Sequence, residues 1–171
     1  MIGFPNAKIN LGLLVKAKRD DGFHDIESIM FPLNYCDILE LLPSENNKTN
    51  INISGIEIPG DPKNNLVFKA WKLLHEHAGI PFVNIHLHKS IPSEAGLGGG
   101  SADAAFALSM LNQLIELKYD DLKLKDMALQ LGSDCPFFLD NKTKLVGGRG
   151  ENLEPIEVDL NGKCIVIVKP P

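Results

Sequence analysis

Four of the five positions from Gly96 to Gly100 are glycine, inside the run Ile91-Pro92-Ser93-Glu94-Ala95-Gly96-Leu97-Gly98-Gly99-Gly100-Ser101-Ala102-Asp103-Ala104-Ala105. Glycine loses more conformational entropy on folding than any other residue, so such a run belongs where backbone must approach something closely. It lies between a strand, read from the alternation of Val83, Ile85 and Leu87 with polar residues, and a helix predicted over residues 102–117. Ser101 is placed to cap that helix, leaving further N–H groups free at its positive end. A phosphate there would meet several donors at once. The plainer alternative is a flexible turn before a capped helix, and the loop alone leaves both open. No Gly-Lys-Ser/Thr follows, so this is not a Walker A motif. Counting from Gly96 the sixth position is Ser101, so G-x-G-x-x-G fails as well.

The surrounding chain of 171 residues, 44% apolar, is long enough for one core and short for two domains. Residues 9–15, 26–33 and 37–42 read as strands, with Arg19-Asp20-Asp21-Gly22 as the first turn. Ile51 and Ile53 predict a short strand, Gly55 a turn, and Ile56 and Ile58 another strand. Asn65 caps a helix over 66–77, whose apolar residues Leu66, Ala70, Trp71, Leu74 and Ala78 follow a 3.6 period, and Gly79 stops it. The helix after the glycine loop is apolar nearly all round, which makes it central. A shorter amphipathic helix over 122–131 is closed by Gly132, and later strands are predicted at 135–139, 143–146, 157–159 and 164–168. Strands first, then helices mixed with strands, give an α+β domain.

The net charge of -5 comes from 17 basic and 22 acidic residues, and Arg19 and Arg149 are the only arginines. Nucleic-acid binding, which favours clustered Arg and Lys, is therefore not expected. Cys36, Cys135 and Cys164 lack C-x-x-C spacing and read as reduced thiols of a cytoplasmic protein. No secretory signal and no membrane span is read. His86 and His88 share a strand face, where a metal site and an ordinary surface role are the two readings. No quaternary state is written in the composition.

Three blocks together resemble the GHMP kinase superfamily, and within it the diphosphocytidyl-methylerythritol kinases. The first is Pro5-Asn6-Ala7-Lys8-Ile9-Asn10-Leu11-Gly12-Leu13, continuing to Arg19-Asp20-Asp21-Gly22-Phe23-His24. The second is the glycine loop. The third is Leu131-Gly132-Ser133-Asp134-Cys135-Pro136-Phe137-Phe138, supported by Gly148-Arg149-Gly150-Glu151. The resemblance implies a GHMP-kinase N-terminal domain over 1–171, of the ribosomal protein S5 domain 2-like type, with a mixed or antiparallel sheet packed with helices. It also implies that a second domain, which normally follows in the family, is absent from this chain.

Taken alone, Lys8 at the start of a strand could be a solvated lysine, and Asp134 beside an apolar stretch could be a turn or N-cap residue. The resemblance assigns both to catalysis: Asp134 orients or deprotonates the acceptor hydroxyl, and Lys8 stabilises the reacting oxygens. It implies ATP, held by Pro92, Ser93, Glu94, Ala95, Gly96, Leu97, Gly98, Gly99, Gly100, Ser101 and Ala102, with Asn64, Asn65 and Lys89 near adenosine. Mg2+ would bridge the nucleotide phosphates, with Ser101 the nearest protein hydroxyl and no dedicated metal cage. The acceptor would be a small molecule carrying a cytidine diphosphate group, phosphorylated on the 2-hydroxyl of its methylerythritol. Asn10 would serve its polyol and phosphate region, and Phe23 and His24 its cytidine end. Phe23 replaces the family's more usual tyrosine, keeping a stacking face and losing the phenolic O–H. Ala102 stands where many members have a second serine, and Ser133-Asp134-Cys135 replaces the commoner Ala-Asp-Val.

Overall fold

The structure is a computed structural model and describes every residue except Phe23, Lys169, Pro170 and Pro171. Its elements are β1 (Ile2–Gly3), β2 (Asn6–Lys18), β3 (His24–Cys36), β4 (Ile38–Pro43), β5 (Asn50–Gly55), α1 (Leu66–Ala78), β6 (Val83–Lys89), α2 (Gly99–Leu114), α3 (Asp121–Leu131), α4 (Phe137–Asp140), β7 (Lys144–Gly147) and β8 (Asn152–Pro155). They form two four-stranded sheets, in the orders β1-β4-β6-β5 and β2-β3-β7-β8. All described pairings are antiparallel except β5 with β6, which run parallel because α1 carries the chain back between them. The domain is thus α+β with mixed and antiparallel sheets, as expected.

Buried Leu39, Leu41, Val83, Ile85 and Leu87 of the first sheet pack with Val67, Ala70, Trp71 and Leu74 of α1 and with Ala104, Ala107, Leu108 and Leu111 of α2. On another flank of α2, Ala102 and Ala105 meet Met30 of β3, Val146 of β7, and Phe137 and Phe138 of α4. A helix buried against both sheets must be apolar around most of its circumference, which explains its composition. Asn65 caps α1, its Oδ1 accepting from Val67 N at 2.9 Å, and Gly79 ends the helix in a left-handed conformation, both as predicted.

Other expectations are corrected. The second helix starts at Gly99, three residues before the predicted position, with Gly98 and not Ser101 at its N-cap. Gly98 has φ 71°, so the chain turns directly into the helix and Ser101 lies inside the first turn. The same helix stops at Leu114, before Glu116 and Lys118 adopt left-handed conformations. Residues 135–139 are not a strand: turns bond Cys135 N to Gly132 O and Phe138 N to Cys135 O, and Phe137–Asp140 form one helical turn. Pro136, with φ near -60°, already has helical backbone. The strand predicted at 157–159 lies earlier, at Asn152–Pro155, where it pairs with β7. Residues 56–58 and 164–168 carry no strand, and Val166 and Val168 are exposed.

Candidate active site

Residues 91–101 wrap a hollow of about 270 Å³, closed by Leu66 of α1 and bordered by Lys89. Gly98 supplies no side-chain cap, and the first helical hydrogen bond returns Ala102 N to Gly98 O at 2.9 Å. The N–H groups of Gly99, Gly100 and Ser101 therefore have no acceptor one turn back within the helix. This is the set of donors an anion needs at a helix start. Glycine is required sterically: a Cβ on Gly98 would lie 2.8 Å from Phe138, and one on Gly99 would lie 2.9 Å from Ile91.

Lys8 is bound into the same structure. Its backbone N–H donates to Leu97 O at 2.9 Å, tying β2 to the loop, and its side-chain Cγ lies 3.2 Å from where a Cβ on Gly98 would be. The ammonium donates to Asn10 Oδ1 at 2.5 Å and stands 3.7 Å from Asp134 Oδ2. Lys8 is buried, whereas the Asp134 side chain is 30% exposed, so the carboxylate forms the open side of the pair. The β7–β8 turn completes this edge: Gly150, at φ 122°, passes where a Cβ would lie 3.6 Å from Asp134 Oδ1. Parts of all three blocks read in the sequence, with the supporting Gly148-Arg149-Gly150-Glu151, thus meet around one cleft edge through Lys8, Leu97, Gly98, Asp134 and Gly150.

The remaining predicted residues fall in different places. Asn10 is joined to the pair through Lys8 and also donates from Nδ2 to Ser28 Oγ at 2.7 Å. His24 is exposed at the start of β3, and Phe23 lies outside the described residues. Asn64 and Asn65 line a neighbouring hollow of about 480 Å³ under residues 51–62, although Asn65 Oδ1 is already used as the α1 cap. Pro92, Ser93, Glu94 and Ala95 form the loop's outer rim, and Ala102 is buried beneath it. The Ser101 hydroxyl is turned towards the Cys135 thiol. Burial dominates that thiol and pushes it up to about 11.

Lys89 has an occupation the sequence did not show. It is 3% exposed and its ammonium binds the carboxylates of Asp37 and Asp103, the latter at 2.7 Å. Asp37 also accepts from Ser90 N at 2.6 Å and Ile91 N at 2.8 Å. The three side chains fasten the start of the loop to the first turns of α2. Burial, only partly offset by Lys89 and reinforced by Asp37, raises the Asp103 carboxyl from 3.8 to about 7. Its Oδ1 has no hydrogen-bond partner among the described residues. Also unforeseen were Ser28, buried on β3, and Asn141, whose Nδ2 donates to Asn6 Oδ1 at 2.6 Å. Their partners are 18 and 135 residues away, beyond any local spacing signal.

His86 and His88 are exposed on β6, and His88 Nδ1 lies 3.0 Å from Ser54 Oγ. Among the described residues no group of three or more His, Cys, Asp or Glu side chains converges on a metal position. No described helix is long and apolar enough to cross a membrane.

Residues 65–141 match the family described as GHMP kinases N terminal domain. The chain is 48% identical to a 4-diphosphocytidyl-2-C-methyl-D-erythritol kinase of Bacteroides fragilis, over 99% of this chain and 63% of the relative. It is 49% identical to the enzyme of that name from Azobacteroides pseudotrichonymphae, over 98% of this chain and 62% of the relative. The chain therefore spans a little under two thirds of the length of these curated relatives. A crystal structure of 4-(cytidine 5'-diphospho)-2C-methyl-D-erythritol kinase superposes with a TM-score of 0.79 at 36% identity, covering 93% of this chain and 56% of that one. The Methanococcus jannaschii mevalonate kinase shares the fold, with a TM-score of 0.69 at 12% identity over 92% of this chain and 56% of that one. Residues 65–141 thus match the GHMP kinase N-terminal domain, and nearly the whole chain is similar to a part of the 4-diphosphocytidyl-2-C-methyl-D-erythritol kinases.

Proposed function

We propose that this domain binds ATP and transfers its terminal phosphoryl group to the 2-hydroxyl of 4-diphosphocytidyl-2-C-methyl-D-erythritol, a cytoplasmic step of non-mevalonate isoprenoid synthesis. The observation that carries the reading is the meeting of Lys8 and Asp134 at 3.7 Å beside the glycine loop. The relatives' names supply the substrate, and three free thiols fit a reducing compartment.

Phosphoryl transfer depends on positioning and charge stabilisation more than on covalent help. In this reading the loop's N–H groups receive the phosphate chain, and the hollow beside Asn64 and Asn65 receives the adenosine end. Asp134 orients the acceptor hydroxyl and takes its proton as the oxygen attacks phosphorus. Lys8 offsets the negative charge that gathers on the reacting oxygens. Asn10, which among the described residues commits one amide hydrogen to Ser28 and one lone pair to Lys8, has a second of each for the polyol. His24 and Phe23 serve the cytosine. Mg2+ would enter with ATP as part of the substrate, held chiefly by phosphates and water as small hard cations of this kind usually are, since no carboxylate cage is found among the described residues. Lys89 acts through the loop it fastens. The family's second domain would wall the cleft from the other side.

The test is a coupled ADP-release assay with the cytidine-bearing substrate and mevalonate side by side, on this chain and on a gene product extended past Pro171. ATP binding is measured separately. Cytidine-substrate turnover in the extended protein, with ATP binding already present in this chain, is the expected result. Activity with mevalonate alone would refute the assignment.

A further inference from the structure

Hydrogen-bond polarity below the Lys8–Asp134 pair can be followed without ambiguity from one backbone carbonyl. In β2 the register with β3 shifts between Leu11 and Leu13, and Gly12 sits at the bulge with φ 73°. Bulges beside functional sites re-aim groups that a regular ladder would hold elsewhere. Here the Gly12 carbonyl meets Ser28 Oγ at 2.6 Å. A carbonyl oxygen accepts only, so the single hydroxyl proton of Ser28 is spent on Gly12. Ser28 Oγ must then accept from its other partner, Asn10, which lies 2.7 Å away through Nδ2. The Asn10 amide is thereby turned with its oxygen towards Lys8, whose ammonium donates to it at 2.5 Å. The reversed amide would face an NH2 group towards an ammonium, two donors with no acceptor between them.

We propose that Ser28 is a positioning residue for phosphoryl transfer: bonded to the Gly12 carbonyl, it fixes the orientation of the Asn10 amide and so holds the Lys8 ammonium opposite Asp134. This rests on the role given to Lys8 and Asp134 above. Ser28 does not touch the reacting atoms in this arrangement; it determines which face of Asn10 the lysine meets. Ser28 is itself buried, at 4% exposure, so its hydroxyl meets Asn10 with little competition from bulk water. Removing the hydroxyl frees the amide to rotate and leaves Lys8 one defined acceptor short. Misplacing a catalytic group by about 1 Å costs on the order of 100-fold in rate.

The experiment compares Ser28→Ala with Ser28→Thr, which restores the hydroxyl. Solvent exchange of the 15N-labelled Asn10 side-chain amide is read in this chain without substrate, and kcat is read in the catalytically active protein. Ser28→Ala should speed Asn10 amide exchange at least roughly tenfold and lower kcat roughly 10- to 100-fold, with ATP affinity within about twofold. Ser28→Thr should return both readouts towards the unsubstituted values. Unchanged exchange and kcat in Ser28→Ala would overturn the proposal, as would equal losses of kcat and ATP affinity in both variants, which mark a merely structural residue. If the unsubstituted protein transfers no phosphoryl group, the proposed function fails. The amide exchange then decides the Ser28 arrangement on its own.

Discussion

Replacing Asp103 by Asn should flatten part of the pH dependence of folding stability. Asp103 is 1% exposed, its Oδ2 accepts from Lys89 at 2.7 Å, and the Asp37 carboxylate shares the same ammonium. Two carboxylates with one cation in a dry site cannot both ionise cheaply. Burial therefore raises the Asp103 carboxyl from 3.8 to about 7, against the opposing pull of Lys89. A folded-state value above the unfolded one means that the native protein holds more protons between these two pH values. The associated stability is complete below about pH 3.8 and is lost as pH rises through about 7. The full shift corresponds to about 4 kcal/mol, of which about 2 kcal/mol disappears between roughly pH 5.5 and pH 8. Asn keeps a carbonyl acceptor for Lys89 and has no proton to lose in that range. Urea unfolding of both proteins at the two pH values gives the comparison, in which histidines and other common groups cancel. The unsubstituted chain should lose about 2 kcal/mol more than Asp103→Asn. Parallel stability curves would show that the carboxyl is ionised throughout and that the burial argument is wrong.

Asp134→Asn should cut kcat by roughly 10²- to 10⁴-fold while leaving ATP affinity within about twofold, read by single-turnover kinetics and equilibrium titration. An unchanged kcat removes Asp134 from the mechanism. Gly98→Ala forces a side chain to 2.8 Å from Phe138 at a φ of 71°. It should cost about 1–3 kcal/mol of stability and weaken ATP binding measurably, both absent if the loop adapts freely. Asn65→Ala removes the acceptor for Val67 N. Thermal unfolding should report a loss of about 1 kcal/mol, and an equal stability would mean that another group caps α1.

The parts of the site that lie within one local run were readable in advance. Asn65 and Gly79 mark the ends of α1 by their chemistry, and the glycine loop stands between β6 and α2 where the change from period 2 to period 3.6 placed it. Ser101 misled because a serine before an alanine run is a strong capping signal, whereas Gly98 does the same job with backbone geometry alone. Residues 135–139 misled because a short apolar run does not distinguish a strand from a buried helical turn. The association of Lys8 with Asp134 was available only through resemblance, since 126 positions separate them and no periodicity spans that distance. Asp37, Ser28 and Asn141 gave no signal at all, because each acquires its meaning from a partner brought near by the fold.

The bond from Lys8 N–H to Leu97 O joins the β2-β3-β7-β8 sheet to the loop that emerges from the other sheet. One amide proton thus spans the seam between the half of the domain that carries the reacting side chains and the half that presents the anion-binding backbone. Its exchange rate is an internal gauge of how often those halves part. A ligand held by both sides would slow that single proton, whereas a ligand held by the loop alone would leave it unchanged.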